Sequence, residues 1–172
     1  MTRRLNWFLL AMLVLFGGPY YWLLIDNRPG DSAAKPVSIP QLRSLAASIP
    51  GNAPTEVEVE LVTFRRLPGT LFMAGTGLKR RLIGVMAWRL PVPGKGPILI
   101  DSAMDGAAAK QMGMEEFNPD AWARVEQALA SASQIVITHE HPDHLGGVVG
   151  SNKRALLDKV VFNPQQLPGN RW

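Results

Sequence analysis

The chain contains no cysteine among its 172 residues. That excludes a disulfide framework, a thiolate metal site and a cysteine nucleophile. Histidine is nearly as scarce, with only His139, His141 and His144 present. Lysine and arginine number 18 against 14 acidic residues, a formal net charge of +4. However, the basic residues fall as scattered pairs (Arg3-Arg4, Arg65-Arg66, Arg80-Arg81), with no block on one helix and no interleaved aromatics. This is the pattern of a solvated surface plus an orientation signal, and no nucleic-acid partner is expected. Internal repeats and low-complexity tracts are also missing, so the length accommodates one ordinary domain.

One long apolar run is present. After Arg3-Arg4, Leu5 to Ile25 is almost wholly apolar, with Asn6 its only strongly polar side chain. That length spans a ~30 Å hydrocarbon layer as a helix. Trp7 at one end and Tyr20, Tyr21 and Trp22 at the other suit the two interfaces. Residues 1–25 are therefore expected to be a transmembrane signal anchor, the N-terminus cytoplasmic and the domain on the outer, periplasmic or extracellular, side. The competing expectation is a cleaved signal peptide, with small residues at Ser32-Ala33-Ala34.

Residues 26–51 read as a linker followed by a short amphipathic helix. Ile39, Leu42, Leu45, Ala46 and Ile49 follow helical spacing, with Pro40 in the first turn and Pro50-Gly51 as the stop. From Thr55 the period becomes two, Val57, Val59 and Leu61 alternating with Glu56, Glu58 and Glu60, which predicts a strand with one wet face. Thr70–Ala74, Arg81–Leu90 and Pro97–Ile100 continue the strands as an antiparallel meander. Asn118 caps a helix with Pro119 in its first turn, running to about Ala132. Gln134 to Thr138 is a buried strand, Ser151–Leu157 a helix, and Lys159–Phe162 a last strand. Trp88, Met86 and Phe72 are candidate pocket residues, although an aromatic or methionine on a strand is more often core.

All three histidines fall in Thr138-His139-Glu140-His141-Pro142-Asp143-His144-Leu145-Gly146-Gly147. His139 and His141, two apart on extended chain, point the same way, and Glu140 points opposite. Asp143 and His144 sit on the turn opening the next helix and face back toward them. Gly146-Gly147 keeps side-chain bulk out of the corner. Nitrogen and oxygen donors gathered this way suit zinc, manganese or iron.

This segment resembles the HxHxDH signature of the metallo-β-lactamase fold superfamily. Ile98-Leu99-Ile100-Asp101 resembles that family's earlier strand ending in a supporting aspartate. The resemblance implies an α/β (α+β) fold, the N-terminal half of an αββα sandwich, over residues 52–172. It implies that His139 and His141 hold a first metal and Asp143 and His144 a second, with one or two Zn2+ ions expected. It further implies that Asp101 supports from behind and that Asp143 orients a metal-bound hydroxide. That hydroxide would attack a small-molecule ester, lactone, thioester, lactam or phosphodiester. Further ligands normally come from the second half, yet no histidine follows His144 and Asp158 is the only later acidic residue. The domain is accordingly expected to be truncated and inactive alone, or to pair through an uncovered sheet face. The alternative is an inactive metal-binding relative.

Overall fold

The structure is a computed structural model that describes residues 2–26, 33, 36–150 and 154–162. Most of the expected linker, Ser32 and Ala34 of the cleavage candidate, and the start of the helix expected from Ser151 lie outside the described residues. The chain divides into two compact units, Met1–Arg43 with Arg66–Leu82 and Ser44–Arg65 with Ile83–Trp172.

In the first unit, helix α1 (Thr2–Ile25) is apolar and long enough to cross a membrane. Near Gly17-Gly18-Pro19 its backbone widens into π-type turns, Leu13–Gly17 and Tyr21–Ile25. Proline has no N–H for the α-helical ladder, and the wider turns accommodate that break. Residues 66–82 of this unit form a loop and the strand ends flanking it. The strand expected at Thr70–Ala74 is instead a 3-10 turn, Gly69–Leu71, followed by bends. Gly75 and Gly77 adopt left-handed φ values of 76° and 72°. Glycine accepts these values without Cβ strain, and a left-handed residue interrupts strand geometry. Helix α2 (Ile39–Ala47) is exposed along its length.

The second unit is built on a mixed sheet. Its strands are β1 (Glu58–Pro68), β2 (Arg80–Leu90), β3 (Ile98–Ile100), β4 (Glu116–Phe117), β5 (Gln134–Val136) and β6 (Val160–Val161). They are ordered β4-β1-β2-β3-β5-β6. The pairs β1–β4 and β2–β3 are antiparallel, whereas β3–β5 and β5–β6 are parallel, so the expected meander holds only in part. The parallel step arises because a long connection lies between β3 and β5. It carries α3 (Gly106–Gln111), β4 and α4 (Pro119–Ser131). Such a crossover returns the chain in the same direction. Neither α3 nor β4 is expected from the sequence pattern, both being short. Helix α4 starts as expected, Asn118 Oδ1 accepting from the N–H groups of Asp120 and Ala121. The last helices are α5 (Pro142–Gly150) and α6 (Arg154–Leu157).

Helices α3, α4, α5 and α6 share one core with the sheet. Val62, Val85, Leu99 and Ile135 from the sheet cluster with Ala109, Val125, Leu129, Val148 and Leu156 from the four helices. Burying each leucine or isoleucine side chain contributes about 2 kcal/mol. The same packing settles the faces of the strands. Arg89, Leu99, Ile135 and Val160 are successive partners across β2, β3, β5 and β6, so they share the helix-covered face. Glu58 pairs with Arg89, and Glu60 makes a bidentate pair with Arg124 of α4. The acidic side of β1 is thus the covered side, opposite to the usual placement. Val57, Val59 and Leu61 remain 65%, 50% and 43% exposed. Trp88, Ile100, Val136 and Val161 form a row on that opposite face. Of this row Trp88, Ile100 and Val136 are half-buried and Val161 is exposed.

Candidate metal centre

Parallel pairing of Ile100 with Val136 puts the residues after both strands at one edge. Asp101 follows β3, and Ile137-Thr138-His139 follow β5. Carboxyl ends of parallel strands are where open α/β sheets place their sites. Asp101 is fixed in the left-handed region, φ 60°, and Ala103 has φ 52°. Non-glycine residues held there cost of order 1–3 kcal/mol each, and such strain clusters at functional sites. The Asp101-to-Met104 loop is wholly buried.

The loop's contacts account for this conformation. The Asp101 N–H donates to Val136 O at 2.8 Å, continuing the β3–β5 ladder by one residue. Its carboxylate Oδ1 accepts from the Thr138 N–H at 2.8 Å and from Thr138 Oγ1 at 2.9 Å. Its Oδ2 lies 2.8 Å from His144 Nδ1, with the side chain only 6% exposed. Next door, the N–H and hydroxyl of Ser102 both donate to His144 O, at 2.8 and 2.9 Å. Ser102 Oγ in turn accepts from the Val148 N–H. The start of α5 is thereby stitched to the loop after β3.

Two glycines permit this contact. A Cβ on Gly147 would stand 2.2 Å from Ser102 O, and one on Gly146 3.1 Å from Ala103 O. Gly147 N–H also donates to Ala103 O at 3.0 Å. The expectation that Gly146-Gly147 clears a tight corner is met in these contacts.

Proton positions follow from the acceptors. A carboxylate can only accept, so the close contact with Asp101 places a proton on His144 Nδ1 and leaves the Nε2 lone pair free. Thr138 spends its hydroxyl proton on Asp101, so its oxygen accepts from His139 Nδ1, 3.1 Å away. His139 Nε2 then carries no proton and its lone pair faces His141 Nδ1 at hydrogen-bond distance, 3.1 Å. Asp143 Oδ2 lies 3.5 Å from His144 Nε2. The imidazoles crowd together, with the His139 centroid 4.6 Å from that of His141 and 3.9 Å from that of His144.

The structure therefore brings together all five residues singled out from the sequence: Asp101, His139, His141, Asp143 and His144. Glu140 is exposed, as expected. Thr138 and Ser102 were not anticipated as site residues. Each adjoins a residue singled out from the sequence, and that adjacency was the available signal. The donors fall into two pairs, His139 Nε2 with His141 Nδ1 and His144 Nε2 with Asp143 Oδ2. Two ligands of a tetrahedral zinc with ~2.0 Å bonds stand ~3.3 Å apart, so both separations fit a pair on one ion. Among the described residues no group of three converges as a metal site. Of the candidate pocket residues, Met86 and Trp88 lie in the second unit and Phe72 in the first. A cavity of about 360 Å³ beneath α4 is lined by Trp88, Glu58, Glu60, Arg89 and Arg124, apart from the histidines.

The second unit is thus a mixed α/β domain with a His-x-His-x-Asp-His segment after a strand, backed by a buried aspartate. Residues 86–154 match the family model of the metallo-beta-lactamase superfamily. A solved structure titled as a quorum-quenching N-acyl homoserine lactone lactonase is similar at 19% identity and a TM-score of 0.43. The similarity covers 56% of this chain and 42% of that one, so this chain spans less than half of that protein's length. No curated protein matches the chain.

Proposed function

We propose that the chain carries the first part of a metal-dependent hydrolase site and is held to a membrane by α1. The observation that carries this reading is the Asp101–Thr138–His144 network. It frees the Nε2 atoms of His139 and His144 and pairs them with His141 and Asp143. In this reading His139 with His141 and Asp143 with His144 hold Zn2+, one or two ions, with iron or manganese as substitutes. A divalent ion held by these residues would supply Lewis acidity. The chain's own residues do the rest. Asp101 and Thr138 fix imidazole tautomers and orientation, and Asp143, 27% exposed at its side chain, reaches the open side to hold a proton-bearing nucleophile in line. The substrate class is an ester, lactone, thioester, lactam or phosphodiester. Remaining donors, and cover for the apolar sheet face, come from a second layer, in the same polypeptide or in a partner.

The second reading is a metal-binding relative without activity of its own. The absence of a convergent triad among the described residues favours it. Zinc titration of the purified full chain tests both readings. Saturable binding abolished by His139→Ala with His141→Ala supports the metal site, and unchanged zinc content in that variant sinks it. Ester and lactone turnover by the zinc-loaded chain then separates the first reading from the second.

The anchor rests on length and composition. Helix Thr2–Ile25 has 24 residues, about 36 Å at 1.5 Å per residue. In this reading Arg3 and Arg4 keep its start on the cytoplasmic side, where basic residues flanking a span collect. Protection of the N-terminus but not of the domain in right-side-out spheroplasts, treated with protease, checks the orientation.

A further inference from the structure

The first unit has a feature that the metal site does not use. The loop between β1 and β2 presents Leu71, Phe72, Met73 and Leu78 to solvent, 65%, 54%, 62% and 66% exposed. Four large apolar side chains over eight residues of one loop are more than scattered surface hydrophobics. The flanks are basic, with Arg66, Lys79, Arg80 and Arg81 all exposed, and residues 66–82 contain no acidic side chain.

The position of this loop in its unit is fixed by two hydrogen bonds to the last turn of α1. Leu23 O accepts from the Gly75 N–H at 2.9 Å and from Thr70 Oγ1 at 2.7 Å. Leu23 lies two residues before the apolar run ends at Ile25, beside the Tyr20-Tyr21-Trp22 cluster. Tyrosine and tryptophan collect where hydrocarbon meets headgroups. The loop is shaped to stay compact there. Gly69 has no room for a Cβ, which would stand 2.8 Å from Thr76 Oγ1. Thr76 Oγ1 itself donates to Met73 O at 2.6 Å.

We infer that the 66–82 loop is a second membrane contact, with Leu71, Phe72, Met73 and Leu78 seated in the interfacial layer where α1 emerges. Arg66, Lys79, Arg80 and Arg81 meet acidic phospholipid headgroups there. This rests on reading α1 as a membrane span. Apolar insertion combined with basic side chains is how proteins lie on anionic bilayers, and neither term alone holds firmly. An exposed apolar loop at the mouth of an anchor meets lipid at no translational cost, because the anchor has already brought it there.

The absence of cysteine makes the test direct. Single variants Phe72→Cys, Leu13→Cys and Gln127→Cys of the full chain are labelled with a polarity-sensitive fluorophore. They are then reconstituted into phosphatidylcholine vesicles with and without phosphatidylglycerol. The expected result is a blue-shifted Phe72→Cys label quenched by interfacial brominated lipid. Its iodide quenching should be on the order of tenfold weaker than that of the Gln127→Cys label. Lys79→Glu with Arg81→Glu should restore iodide access in the anionic vesicles. If the position-72 label is as open to iodide as that at 127, while the Leu13→Cys label stays in lipid, the loop contact is overturned and the anchor stands. If the labels at 13 and 72 are both aqueous, the span reading fails and the loop contact fails with it.

Discussion

Replacing Asp101 by asparagine changes one oxygen to an amide nitrogen at nearly constant shape, and the structure determines what that does. The carboxylate accepts from the Thr138 N–H, the Thr138 hydroxyl and His144 Nδ1. An asparagine keeps one acceptor. If its oxygen stays toward the Thr138 N–H, its NH2 faces the proton on His144 Nδ1, donor against donor. His144 must then move that proton to Nε2, the atom 3.5 Å from Asp143 Oδ2 and the one needed as a metal donor. Hydrogen bonds to a charged group contribute about 1.5–3 kcal/mol, so a stability loss of about 2 kcal/mol is expected in urea unfolding. Loss of a partner that orients a ligating histidine costs on the order of 10–100-fold in metal affinity. Zinc competition against a chromophoric chelator reads the affinity, and long-range 1H–15N NMR of the imidazoles reads the tautomer. An asparagine variant with unchanged zinc affinity and His144 still protonated at Nδ1 would refute the reasoning.

Thr138→Val removes the hydroxyl that links His139 to Asp101 and should cost about 1 kcal/mol of stability. Its zinc affinity should fall, and Thr138→Ser should restore it, in the same chelator competition. Gly147→Ala would gain about 1 kcal/mol in a free helix. Here the new Cβ would meet Ser102 O at 2.2 Å, so a net loss of about 2 kcal/mol or more is expected in urea unfolding. A neutral or stabilised variant would mean that α5 can slide off the loop. Asn118→Ala removes the acceptor for two N–H groups at the start of α4, and thermal unfolding should report a loss of about 1 kcal/mol.

The site was legible in the sequence because its chemistry is concentrated. Three histidines and an aspartate within six residues after an apolar strand leave little freedom in where their side chains meet. The Asn118-Pro119 start of α4 was legible for the same reason, since capping is a local code. What escaped was set by distant contacts. In β1 the alternation of valine and glutamate marks two faces, but only Arg89 and Arg124 decide that the glutamates lie on the covered one. The strand expected at Thr70–Ala74 failed because Gly75 and Gly77 turn the backbone left-handed. Helix α3 is six residues long and β4 only two, too short for a periodic signal.

The strain after β3 links the loop, the histidines and the start of α5. A glycine at position 101 would adopt φ 60° freely but would carry no carboxylate. The conformation is held by what surrounds it: the Val136 carbonyl on the Asp101 N–H, Thr138 and His144 on its side chain, and the His144 carbonyl on Ser102. The two His144 contacts need α5 close to the loop, and that closeness needs glycine at 147. A cost of order 1–3 kcal/mol per strained residue is tolerated where the geometry it fixes has a use. Packing alone would be served equally well by an unstrained apolar turn in this place. A buried carboxylate that fixes the imidazole protons of His144 directly and of His139 through Thr138 has its use in holding their Nε2 atoms open.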